Sequence, residues 1–99
     1  MKKLMIASVA ATLLFSASAY ALEAPAKAST CIGCHGADGN SVVPNFPKLA
    51  GQHASYTASQ LKDFRDGVRK NATMAPFAKG LTDQEITDLA NFYAAQQAK

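Results

Sequence analysis

Cys31-Ile32-Gly33-Cys34-His35 is the stretch on which the reading of this chain turns. On a helical turn, cysteines at i and i+3 project from the same side. An imidazole follows them at once. Two thiols so placed can form thioether links to the two vinyl groups of one haem, and the ring of the next residue then lies beneath the iron. C-x-x-C-H is the attachment signature of a c-type haem for that reason. Two other readings use the same residues. A C-x-x-C pair can be a redox dithiol, although such sites usually sit on a βαβ frame. It can also be half of a zinc site, for which His53 is the sole further Cys or His and carboxylates would have to complete the set.

Toward the N-terminus, Met1-Lys2-Lys3 is basic, residues 4–15 are largely apolar, and small residues lead to Ala19-Tyr20-Ala21. That is the layout of a secretory signal, with cleavage predicted after Ala21 and a domain over residues 22–99. The apolar run is shorter than the roughly 20 residues a spanning helix needs, so stable membrane insertion after cleavage is not expected. Export through the inner membrane places the chain in the periplasm. Lys2 and Lys3 carry two of the net +3 charges, so the mature part is close to neutral and offers no basic footprint for nucleic acid. So short a domain gains only a few kcal/mol from an apolar core and tends to add a disulfide, a metal or a cofactor.

Downstream, the pattern is helical throughout. Residues 22–30 are alanine-rich, with Pro25 tolerable near a helix start. Residues 36–41 read as a turn, and Pro44, Pro47 and Gly51 make residues 42–51 an ordered loop. Over residues 54–69 the side chains Tyr56, Leu61, Phe64 and Val68 approximate a helical stripe. Residues 71–80 read as irregular, pinned by Pro76. Thr82-Asp83-Gln84-Glu85 is a capping box that opens a last helix burying Ile86, Leu89, Ala90 and Tyr93, with Phe92 at the margin. Nothing reads as a strand. The expected fold is all-α: three to four helices packed around one covalently bound haem.

With His35 below the iron, the opposite axial position can be taken by Met74, His53, a lysine such as Lys79, or no residue. Met74 is the one methionine beyond the leader and lies in the proline-stiffened run Met74-Ala75-Pro76-Phe77. A thioether is soft and uncharged and raises the reduction potential of a haem. Met74 is therefore the preferred ligand over the plain alternative of core filling. His53 precedes a helix and reads as an exposed or capping residue.

The chain resembles the class I cytochromes c, and among them the small monohaem bacterial type that is similar to one lobe of the dihaem periplasmic cytochromes. The resemblance rests on Cys31-Ile32-Gly33-Cys34-His35 with Gly36-Ala37-Asp38-Gly39, Phe46-Pro47-Lys48-Leu49-Ala50-Gly51-Gln52, Met74-Ala75-Pro76-Phe77-Ala78 and Leu81-Thr82-Asp83-Gln84-Glu85-Ile86. It implies crossed first and last helices, with residues 24–28 against Leu89, Phe92 or Tyr93. It also implies that the Pro47 carbonyl accepts a hydrogen bond from His35, Pro44 being the alternative in another loop register. The chain lacks the tryptophan that larger members use near a haem propionate. That leaves Tyr56, Arg65, Arg69 and Lys79 as candidates without rank.

The function implied is one-electron transport by a His35/Met74-ligated haem between redox protein donors and acceptors, for example a membrane oxidase or reductase complex. The chain is expected to be a carrier rather than an enzyme, as a monomer or weak dimer. Lys27, Lys48 and Lys79 could steer an acidic partner, or serve as solvated surface charges. Two rivals remain: a gas-binding or sensing haem protein with an open distal position, and an electron-transfer subunit of a larger oxidoreductase.

Overall fold

The computed structural model describes residues 23–99, so the reading of residues 1–21 as a leader lies outside the described residues. Among the described residues there is no strand, and no helix is long and apolar enough to cross a membrane. A 3-10 turn over Ala26–Thr30 leads into α1, Ile32–His35; α2 spans Ala54–Asp66, α3 Met74–Ala78 and α4 Asp83–Ala94.

The opening segment is tighter and shorter than the helix anticipated over residues 22–30. Pro25 stands at its N-cap, and the amides of Ala28 and Cys31 bond three residues back, to Pro25 and Ala28. The Ser29 and Thr30 hydroxyls donate to the carbonyls of Ala26 and Lys27, local bonds that compete with α-helical ones. Helix α2 also ends before the anticipated residue 69. Gly67 takes the left-handed conformation, φ 77°, which stops the helix after Asp66. Val68 thus lies beyond the helix and is exposed.

The segment anticipated as irregular contains α3, and Pro76 does not prevent it. Pro76 is the third residue of that helix, in the first turn, where backbone amides have no intrahelical acceptor to lose. The Asn71 side-chain oxygen accepts from the amides of Thr73 and Met74, both at 2.9 Å, satisfying donors at the start of α3.

Helix α4 opens with the capping box. The Glu85 amide donates to Thr82 Oγ1 at 3.1 Å, and the Thr82 amide donates to Glu85 Oε1 at 3.0 Å. Its inner face buries Ile86, Leu89, Ala90, Phe92 and Tyr93. Ile86, Leu89, Phe92 and Tyr93 pack with Ala28, Phe64, Ala78 and Leu81 into one core, so α4 meets the 3-10 turn on one side and α2 on another. Full burial of Ile86 or Leu89 is worth about 1.5–3 kcal/mol each.

The loop between α1 and α2 is pinned from within and from the far end of the chain. The amides of Leu49 and Ala50 donate to the Gly39 carbonyl at 2.8 and 3.1 Å, and the Gly51 amide donates to the Tyr93 carbonyl at 2.9 Å. The Asn40 side chain donates through Nδ2 to the Gln97 carbonyl and accepts at Oδ1 from the Lys99 backbone amide, at 3.0 and 2.9 Å. Gly39, at φ 80°, admits this crossing. A Cβ there would stand 2.8 Å from both the Ala50 amide nitrogen and Tyr93 Cδ1.

Candidate haem site

One cavity of about 530 Å³ brings together residues that are far apart in sequence. Cys31, Cys34 and His35 come from α1 and the residue before it, Pro47 from the pinned loop, and Met74 from the start of α3. Helix α2 supplies a wall of Tyr56, Thr57, Gln60, Leu61 and Phe64, at i, i+1, i+4, i+5 and i+8, one continuous helical face. Leu89 and Tyr93 of α4 belong to the same lining.

Both cysteines are half-buried free thiols. Helical bonds from the His35 amide to the Cys31 carbonyl and from the Gly36 amide to the Ile32 carbonyl, 2.9 Å each, put the motif on the single turn that its spacing requires. His35 is buried, and its Nδ1 lies 2.8 Å from the Pro47 carbonyl oxygen. A carbonyl oxygen only accepts, so Nδ1 carries the proton and Nε2 retains the lone pair that a metal ligand needs.

The remaining wall is largely apolar, including Leu49, Phe77, Ala78 and Leu81. The Tyr93 hydroxyl is buried and has no hydrogen-bond partner. Burial first, and the neighbouring Cys31 thiol second, push its ionisation up from the ordinary range. An unpartnered hydroxyl costs about 1–3 kcal/mol and marks a wall not completed by protein alone.

The donor set, the paired thiols and an apolar space of cofactor size fit a haem. The zinc reading finds no support in the geometry: among the described residues no group of three or more His, Cys, Asp or Glu is placed to hold a metal ion. His53 sits exposed at the N-cap of α2, outside the cavity lining.

Of the basic residues singled out by sequence, Lys48 and Arg69 line the cavity, while Lys27, Arg65 and Lys79 do not. Lys27 lies 3.8 Å from Glu85. Arg65 is committed to Asp83 at 2.7 Å and Asp66 at 2.9 Å. Sequence reasoning passed over Thr57, Gln60 and Asn71 as lining residues. The two on α2 share the phase of Tyr56 and Phe64, but polar side chains on that face read as solvated when no cavity is known to face them.

The family profile described as cytochrome c matches residues 23–95. Cytochrome c-554(548) of Halomonas halodenitrificans is 46% identical over 74 residues, covering 72% of this chain and 89% of that protein. Cytochrome c4 of Pseudomonas aeruginosa is 42% identical over 100 residues, covering 98% of this chain but 50% of that protein. The crystal structure of reduced recombinant cytochrome c4 from Pseudomonas stutzeri superposes with a TM-score of 0.70 at 39% identity, over 74% of this chain and 43% of that one. The chain thus spans most of one relative and about half of the c4 relatives it matches.

Proposed function

The chain belongs to the cytochrome c family and carries one covalently bound haem c; from that premise we propose that it is a periplasmic one-electron carrier, with residues 1–21 removed as a signal peptide. The observation that carries this reading is the convergence of Cys31, Cys34, His35 and Met74 on a single, largely apolar cavity. Cys31 and Cys34 would hold the haem covalently, and His35 and Met74 would ligate its iron. When bound, the haem supplies reversible one-electron chemistry between ferric and ferrous iron.

The protein's part is positioning. Pro47, accepting from Nδ1, fixes the orientation of the His35 ring and makes its other nitrogen a better donor. Met74 adds a soft, neutral thioether that favours the ferrous state. With His35 and Met74 both holding the iron, no position would be left for a substrate, which suits a carrier rather than an enzyme or a gas sensor. Leu61 and Phe64 of α2 and Leu89 of α4 would keep water from the iron, and the exposed Ile32 and Gly33 between the two cysteines would leave the thioether edge accessible to a redox partner. Such docking is brief and uses small interfaces.

A second reading, as the electron-transfer subunit of a larger oxidoreductase, is favoured by 38% identity over 95 residues to the thiosulfate dehydrogenase electron acceptor of Thiomonas intermedia. The two separate on purification of the native protein, where co-elution with a catalytic subunit supports the second.

Optical spectroscopy of protein matured in a periplasm tests the site. Covalent haem, a methionine-to-ferric-iron charge-transfer band and no carbon monoxide shift in the reduced protein are expected. Met74→Ala is expected to keep the covalent haem, lose that band and bind carbon monoxide. Wild type that already binds carbon monoxide at neutral pH would replace the carrier with the sensor reading.

A further inference from the structure

A haem brings two propionate carboxylates, and a carboxylate at the edge of an apolar cavity needs a cation or hydrogen-bond donors to offset its desolvation. The sequence leaves four partners without rank, and the structure separates them. Arg65 is outside the cavity, with its guanidinium divided among Asp66, Asp83 and the Leu81 carbonyl. Lys79 is outside as well. Lys48 lines the cavity, but its ammonium donates to the Lys99 carbonyl. Tyr56 lines it with a neutral phenol.

Arg69 differs from all of these. It lines the cavity, its guanidinium carbon lies 4.6 Å from the centroid of the Phe64 ring, and its Nη1 donates to Gln60 Oε1 at 2.8 Å. Phe64 and Gln60 are themselves lining residues. Among the described residues no carboxylate pairs with Arg69, whereas Lys27 and Lys99 each have one and Arg65 has two. A planar fork laid on an aromatic face and held at one nitrogen keeps its other donors free, at low entropic cost. Arginine is suited to carboxylates because those donors match the spacing of the two oxygens.

We propose that Arg69 is the cationic partner of one haem propionate, with Phe64 and Gln60 holding the guanidinium in place. The proposal rests on the haem reading above. Its consequence concerns the potential. A guanidinium beside the carboxylate keeps it ionised across the neutral range, so the reduction potential stays flat with pH there. The other titratable groups facing the cavity are Cys31, Cys34 and His35, which bind the haem, Lys48 from the α1–α2 loop, Tyr56 of α2 and Tyr93 of α4. Asp63, Asp66 and Lys70 are the charged neighbours of Arg69 along the chain.

The test is spectroelectrochemical titration of the holoprotein across pH, for wild type, Arg69→Gln, Arg69→Lys and the control Arg65→Gln. Covalent haem is verified first in each by staining after denaturation. Arg69→Gln is expected to gain a step in which the potential falls as pH rises, because the carboxylate now ionises inside the range. Arg69→Lys restores a nearly flat curve, and Arg65→Gln shows no step. An Arg69→Gln curve that overlays wild type, with haem attached, overturns the proposal and leaves the carrier reading intact. Wild type without covalent haem overturns both. Arg69 is exposed, and the one core side chain it covers is Phe64, at the edge of the cavity. Should the Gln variant nevertheless give too little holoprotein, Gln60→Leu releases the guanidinium from its anchor. A smaller step of the same sign is then expected, and an unchanged curve overturns the positioning.

Discussion

The two sides of the haem cavity are held by different means. On the His35 side, the ligand stands one residue from Cys34, its ring is bonded to Pro47, and the loop bearing Pro47 is tied to α4 and to the last residues of the chain. On the Met74 side, the proposed ligand opens a five-residue helix, at whose start the Asn71 side chain accepts from the amides of Thr73 and Met74. One side is fixed by long-range bonds added to a covalent anchor, the other by contacts within a few residues and by packing of α3 on α2. The proposed imidazole ligand therefore has redundant support, while the proposed thioether ligand depends on a short element with fewer long-range ties. Loss of order should release Met74 before it disturbs His35.

The sharpest way to break this asymmetry is to remove the anchor. The double substitution Cys31→Ala and Cys34→Ala should abolish covalent haem altogether, read as loss of haem stain after denaturation; retained stain would sink the attachment site. Gly39→Ala attacks the pinned loop instead. A left-handed alanine with its Cβ against Ala50 and Tyr93 should cost roughly 2 kcal/mol or more in denaturant unfolding, since neither neighbour is free to move away. A change below the noise of such a measurement would mean that the loop can reroute.

Asn71→Ala probes the other side. It should cost only about 1 kcal/mol of stability. Even so, it should weaken the methionine charge-transfer band at a lower alkaline pH than in wild type, with covalent attachment unchanged. Equal sensitivity of the band in Gly39→Ala and Asn71→Ala would erase the proposed difference between the two sides.

The smallest effect is acidic. Asp38 is lowered from the ordinary carboxylate value to about 2, first by hydrogen bonds from Asn40 and only then by Lys99. A depressed folded-state value means that the contribution is present above the unfolded value and is lost as pH falls through the folded one. The loop contact should thus persist through mild acid and weaken below about pH 4, down to pH 2. Asn40→Ala should return the Asp38 titration, followed by NMR, toward 3.8. An unmoved titration would assign the shift to the backbone amide of residue 40, which alanine retains, together with Lys99.

Much of the fold was legible because the decisive signals are local. Thr82 and Glu85 cap α4 as their spacing predicts, and Ile86, Leu89, Ala90 and Tyr93 are buried as their period predicts. The misreadings fall where local rules conflict. Pro76 suggested a break, yet its position in a first turn costs no hydrogen bond. The stripe through Tyr56 and Val68 reads as one helical face over residues 54–69, yet Tyr56 is half exposed on the cavity and Val68 is beyond a helix that Gly67 stops. A helix facing a cofactor shows the period of a buried helix but tolerates polar residues such as Thr57 and Gln60 on the same face.

By itself, the sequence determined the helical class, the i, i+3 pair of thiols with the adjacent imidazole, and Met74 as the preferred partner across the iron, because each follows from spacing and side-chain chemistry within a few residues. Only the tertiary structure decided which basic residue meets the cavity, since Arg65 and Arg69 lie one turn apart on paper but the end of α2 sends one to Asp83 and the other onto Phe64. The bonds of Asn40 to Gln97 and Lys99 likewise span most of the domain. Contacts of that range depend on how the elements pack, and no periodicity in the chain encodes them.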